Sequence, residues 1–187
     1  MPSTVARILK VNHGGEHGAI RIYAGQIAAA RIRCPGLVAD LMDLRSDEQR
    51  HEQVFLALMP ERGARPCRML WLWGLDGLAL GLFTGLIGRD GIFVCTHAVE
   101  QTVHGHLDHQ LAWLGDSDPN LSVAITDIQR EEEDHLRWAM NGRKTVFSPL
   151  ATPIRAIVEA LIWLSTNGES AALARPLRAN APAPPAA

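Results

Sequence analysis

The sequence predicts an all-α protein: a bundle of four long helices with two further apolar helices set against it. Three observations carry the prediction. Apolar residues recur mostly at spacings of three and four, and β-branched runs are short. Proline and glycine interrupt that periodicity at helix-length intervals. At 187 residues, 47% of them apolar, the chain can form one domain with a substantial core.

The first helix is expected from about Thr4 to Arg31, ended by Pro35-Gly36, and the second from Leu37 to Leu58, ended by Pro60. The third, Met69 to Ile87, is apolar nearly throughout and closes at the turn Gly88-Arg89-Asp90-Gly91. The fourth covers Ile92 to Leu114 before Gly115-Asp116 and Pro119, and the fifth Leu121 to Met140 before Asn141-Gly142. The sixth starts near Pro153 and stops at Asn167-Gly168. One domain over residues 1–168 follows. The tail, 169–187, is rich in Ala and Pro, offers no core face and is expected to be disordered.

Charge and cysteine content narrow the function classes. Net charge is 18 − 20 = −2, which gives no basic field for nucleic acid. Cys34, Cys67 and Cys95 are odd in number and far apart, so reduced thiols are expected rather than a disulfide frame or a zinc cluster. Met1 to Lys10 lacks the apolar stretch of a signal peptide. A bacterial cytoplasmic protein is expected.

Each of four helices carries a carboxylate where its apolar stripe should continue. The second helix runs Leu41, Leu44, Glu48, His51, Phe55, Leu58, and the fifth Leu121, Ile125, Ile128, Glu132, His135, Trp138. The first gives Glu16, Ile20, Tyr23, Ile27; the fourth gives Phe93, Thr96, Glu100, Val103, Leu107, Leu111. Steps of three and four put these acids on the core face. An unpaired buried carboxylate is very costly, and nothing basic on the stripes offers to pair with them. Four inward acids and two histidines require a multivalent cation.

The spacing repeats. Glu16 to Glu48 is 32 residues, as is Glu100 to Glu132, and adding 84 to Glu16, Glu48 and His51 gives Glu100, Glu132 and His135. Two helix pairs, each bearing Glu then Glu-x-x-His, match the general ligand pattern of di-iron and di-manganese carboxylate bundles of the ferritin-like kind. Glu and His three apart share a helix face, and this donor set suits iron or manganese. Composition alone yields roughly 0.4 Glu-x-x-His matches in such a chain, so one match is weak. Two, in register with two more inward acids, are not. Glu131, Glu133 and Asp134 fall off the stripe and read as a solvated face.

These residues sit within stretches that resemble a known family, the demethoxyubiquinone hydroxylases of ubiquinone biosynthesis. The resemblance is carried by Val11-Asn12-His13-Gly14-Gly15-Glu16-His17-Gly18-Ala19 through Arg21-Ile22-Tyr23-Ala24-Gly25-Gln26, by Leu78-Ala79-Leu80-Gly81 and Thr84 to Gly88, and by Cys95-Thr96 with Ala98-Val99-Glu100. It extends from about Ile8 to Ser165. It implies an O2-dependent di-iron monooxygenase that hydroxylates the ring of a polyprenyl demethoxyubiquinol, with two Fe ions on the six residues above and an external reductant. It also implies membrane association and, from eukaryotic members, a lipid-binding protein partner. Where the family has His-Tyr after its fourth-helix glutamate, this chain has His106-Leu107, so a substrate-side tyrosine is missing. His104, four residues from Glu100, is placed to take over part of that role. Tyr23, His104 and His106 are therefore the candidate residues around the metals or on the substrate side. Other ferritin-like di-iron oxidases or peroxidases, and a non-enzymatic quinone- or lipid-binding bundle, are the alternative readings.

The third helix is long and apolar enough to be a membrane-span candidate. A span there would put Glu48 and His51 across the bilayer from Glu100, Glu132 and His135, so seating on the inner face of the cytoplasmic membrane is expected instead. Gly74, Gly77, Gly81, Gly85 and Gly88 form a stripe that serves close packing and, in part, a slot for a prenyl tail. Trp71, Trp73 and Trp163 are the expected lipid-interface anchors.

Overall fold

The computed structural model describes residues 4–143 and 149–165, and all secondary structure among them is helical. Six α-helices follow in order: α1 (Thr4–Arg33), α2 (Val38–Leu58), α3 (Leu70–Ile87), α4 (Arg89–Leu114), α5 (Pro119–Gly142) and α6 (Ala151–Ser165). The expected tail lies outside the described residues. Short connections return α1 onto α2 and α4 onto α5, and the two pairs meet through α1–α4 and α2–α5 contacts. Helix α3 lies along α1, and α6 lies against α4.

The boundaries follow local chemistry. Pro119 takes the first turn of α5, where its missing N–H is not needed, and the Asp118 carboxylate accepts the Leu121 N–H at 3.1 Å. Arg62 clamps the same carboxylate at 2.7 and 2.9 Å, tying the α2–α3 connection to the start of α5. One expected boundary is corrected. The expected turn spans four residues from Gly88 to Gly91, but Gly88 alone makes it, at φ 100°, and α4 begins at Arg89. Gly91 instead seats the start of α4 against the last turn of α3.

Two apolar layers enclose the middle of the helices. Ile8, Leu9, Phe55, Leu107, Leu121 and Ile125 form one. Tyr23, Ile27, Leu41, Leu44, Ile92 and Phe93 form the other. Along each helix the inward acid falls between members of the two layers: Glu16 between Leu9 and Tyr23, and Glu48 between Leu44 and Phe55. Burial of both layers fixes the axial height of all four acids.

From Gly74 to Gly85 the glycine stripe of α3 is filled by α1, which corrects the expected prenyl slot. A Cβ on Gly77 or Gly81 would run into the backbone carbonyl of Gly18 or Ile22 on α1, and one on Gly85 would meet Ala29 Cβ at 2.7 Å. Gly25 on α1 reciprocates: a Cβ there would lie 2.6 Å from Leu78 O. The two backbones touch, so nothing else fits between them. Gly81→Ala is expected to destabilise by about 1–3 kcal/mol through overpacking. Gly105→Ala, where nothing lies within 4 Å, should be neutral or stabilise by up to about 1 kcal/mol. Denaturant unfolding of the two variants checks the contrast.

The tryptophans also divide. Trp71 and Trp163 are exposed, at 65% and 58%. Trp73 is buried, which overturns its expected place at a lipid interface: Gly14 and Gly18, one turn apart on α1, leave room for its indole.

Candidate metal centre

The bundle brings the six sequence-predicted residues together at mid-height. Donor atoms of Glu16, Glu48, His51 and Glu132 all lie within 4.8 Å of one another, and so do those of Glu48, Glu100, Glu132 and His135. The two groups share Glu48 and Glu132. All six side chains are buried.

Both histidines turn Nδ1 inward. His51 Nδ1 is 3.0 Å from Glu132 and 3.7 Å from Glu48, and His135 Nδ1 is 3.1 Å from Glu132 and 3.2 Å from Glu48. Their outer nitrogens cross to the opposite helix. His51 Nε2 on α2 donates to Glu131 on α5 at 2.8 Å, while His135 Nε2 on α5 donates to Asp47 on α2 at 3.3 Å. Arg50 joins the two outer acids, reaching Asp47 at 2.8 Å and also bonding Glu131. Burial favours a neutral Glu131, but its bonds from His51 and Arg50 prevail and hold its carboxyl below the ordinary value. An ionised Glu131 can only accept, so His51 carries its proton on Nε2 and Nδ1 is the nitrogen available to an ion.

Electrostatics inside the cluster reflect crowding. Burial and the charges of neighbouring acids push Glu16 and Glu100 well above the ordinary carboxylate range. Burial pushes Glu48 the same way, but the close approach of His135, His51 and Glu16 outweighs it and holds it low. Burial works against protonated histidine, yet the nearby Glu132 and Glu48 carboxylates raise His51 to about 10 and His135 to about 12. An ion bound among these groups would displace protons from them.

The residues fit such an ion. His51 Nδ1, His135 Nδ1, Glu48 Oε1 and Glu132 Oε2 are buried and accept or donate no well-directed hydrogen bond. Four carboxylates carry a formal −4, the charge that two divalent cations would balance. Tyr23, fully buried, donates its phenol O–H to Glu100 Oε1 at 3.0 Å. Burial and the surrounding acids raise that phenol well above its ordinary value, so it remains a donor.

A cavity of about 50 Å³ adjoins the acids. Glu16, Glu48, Glu100 and Glu132 are part of its lining, which is otherwise largely apolar, including Ile22, Trp73, Leu80, Val99, Leu107 and Leu161. It is bounded by α1, α3, α4 and α6. His106 lies in its wall, with Nε2 3.0 Å from Glu159 on α6. Leu107, in the place of the family's tyrosine, is buried in the same wall. His104 does not face the cluster. Its Nε2 sits at the α4–α5 edge, 3.5 Å from Gln129 and 4.0 Å from Asp108.

Asp47, Glu131 and Arg50 were missed by the sequence reading, which assigned Glu131 to a solvated face. Glu133 and Asp134 do face solvent and pair with Arg137. A signal for the missed pair existed: the 84-residue shift that relates the inward acids also carries Asp47 onto Glu131. In both halves an acid directly precedes the Glu-x-x-His pair.

Fold and site together define an all-helical protein with a buried carboxylate–histidine cluster that could hold a metal pair. A family model described as "Ubiquinone biosynthesis protein COQ7" matches residues 3–165. The chain is 36% identical over 164 residues to a 3-demethoxyubiquinol 3-hydroxylase of Rhodospirillum rubrum, covering 86% of this chain and 77% of the relative. It is 36% identical over 170 residues to a mitochondrial NADPH-dependent 3-demethoxyubiquinone 3-hydroxylase of Mus musculus, covering 87% and 77%. A mitochondrial 5-demethoxyubiquinone hydroxylase of Saccharomyces cerevisiae is 30% identical over 175 residues, covering 84% and 75%. The chain belongs to the COQ7 family of ubiquinone biosynthesis proteins.

Proposed function

We propose that this chain is an O2-dependent di-iron monooxygenase that hydroxylates the ring of a polyprenyl demethoxyubiquinol, on a ferritin-like four-helix arrangement of α1, α2, α4 and α5. The observation that carries the proposal is the pair of overlapping donor groups whose four acids line a largely apolar cavity. Glu16 and His51 would serve one ion, Glu100 and His135 the other, with Glu48 and Glu132 shared. Iron held there would supply the activation of oxygen, drawing electrons from an external reductant.

The protein's own residues do the rest. Asp47 and Glu131 orient the two imidazoles, and Tyr23 fixes the Glu100 carboxylate. The largely apolar walls keep water from the acids and offer an apolar surface to a substrate ring. Trp71, Leu75, Phe83 and Leu86 on α3 and Trp163 on α6 are exposed, and these two helices border the cavity. This supports peripheral seating on the cytoplasmic membrane, where a prenylated substrate resides. Helix α3 is long and apolar enough to cross a membrane, but its glycine face is taken up by α1.

The test is genetic. Expression in bacterial cells that accumulate the demethoxy precursor should restore ubiquinone, with the protein recovered in the membrane fraction. Persistent accumulation of the precursor would overturn the activity, and recovery wholly in the soluble fraction of rescued cells would overturn the seating.

A further inference from the structure

One polar group in the cavity wall is left unanswered by the protein. Asp76 is the only charged residue of α3, is partly buried and lines the cavity. Burial alone raises its carboxyl, and no cation or hydrogen-bond donor meets it among the described residues. Arg21 packs its stem where Gly74 and Gly77 leave space, yet it forms no ion pair with Asp76.

Two other polar wall residues outside the acid cluster, Asn12 and His106, are engaged. Asn12 and Gln110 exchange two amide hydrogen bonds of 2.8 and 2.7 Å. His106 Nε2 is held by Glu159. The Trp73 N–H, 3.1 Å from the Cβ position of Gly14, is a buried donor that meets no acceptor. Asp76 is therefore the wall acceptor with free hydrogen-bonding capacity toward a cavity occupant.

An ionised carboxylate accepts hydrogen bonds and donates none. A benzoquinol carries two O–H donors on its ring, whereas the corresponding quinone presents only carbonyl acceptors. A quinone carbonyl brought against Asp76 would take water from the carboxylate and return nothing. We infer that Asp76 is a specificity-determining residue that selects the reduced, hydroxyl-bearing form of the substrate by accepting a hydrogen bond from a ring hydroxyl. The inference rests on the hydroxylase reading above and deepens it. The relatives' names differ on this point, the Rhodospirillum rubrum protein being named for a quinol and the mouse protein for a quinone.

The test is anaerobic calorimetry at pH 8 on Mn(II)-loaded protein, since Mn(II) exchanges no electrons with either form. The probes are a short-chain methoxylated benzoquinol and its matching quinone. The wild type should bind the quinol about tenfold or more tightly than the quinone, the scale on which a site built for a hydroxyl rejects an analogue lacking it. Asp76→Asn, equal in size and able to donate, should reduce that ratio to within about threefold. Asp76→Leu should weaken the quinol about tenfold while leaving the quinone unchanged or tighter. Equal binding of both forms by the wild type, or a preference that survives in both variants, would overturn the role of Asp76 alone. Failure of the wild type to bind either form would overturn the hydroxylase reading with it.

Discussion

Glu132→Gln is expected to empty both metal positions at once, whereas Glu16→Gln should empty one. Glu132 belongs to both donor groups, and Glu16 to only one of them. A carboxylate can bridge two cations because it offers two anionic oxygens. The carboxamide has the same shape but a single neutral acceptor, so it keeps the packing and loses the bridge. Iron measured by elemental analysis should fall from about two per chain to near zero in Glu132→Gln, with turnover below detection. Glu16→Gln should retain about one, and Glu100→Gln should behave like Glu16→Gln. Helical content by circular dichroism should be unchanged in all three, because the apolar layers on either side of the site do not depend on these acids. Equal iron loss in Glu16→Gln and Glu132→Gln would mean that the shared position has been assigned wrongly.

What the sequence made legible was periodicity, and what it hid was partnership. The inward acids could be found because each interrupts a stripe of its own helix, and because the 84-residue repeat tied the two halves together. The filling of the glycine stripe could not be found. Spacing shows that Gly77, Gly81 and Gly85 share a face, but not that α1 presses its backbone into it. Trp73 illustrates the same limit, since its burial depends on Gly14 and Gly18 of another helix. The early start of α4 was obscured because one left-handed glycine does the work of a longer turn. His104 takes the ordinary hydrogen-bonded place at the α4–α5 edge, beside Gln129, rather than part of the tyrosine's role.

Glu131 shows why a surface position can still govern a buried site, and its substitution gives the second large expected effect. Its side chain is 43% exposed, and that of Arg50, which it bonds, is 52% exposed. Exposed pairs of this kind contribute about 0–1 kcal/mol to folding, so Glu131→Gln should leave the stability of metal-free protein nearly unchanged. Its bond to His51 Nε2 has a different consequence. It keeps the proton on the outer nitrogen and holds the ring with Nδ1 directed at the acids. A carboxamide can still accept that bond but brings no negative charge, which lowers the basicity of the inward nitrogen. Metal affinity should therefore fall about 10–100-fold in Glu131→Gln, the usual scale for losing such an outer partner. Asp47→Asn should act in the same direction on the other ion but less strongly, since its bond to His135 is longer, 3.3 against 2.8 Å. Competition with a chelator of known affinity, run beside thermal unfolding of the metal-free variants, separates the two quantities. Unchanged metal affinity in Glu131→Gln would return that residue to the solvated face on which its position in the sequence first placed it.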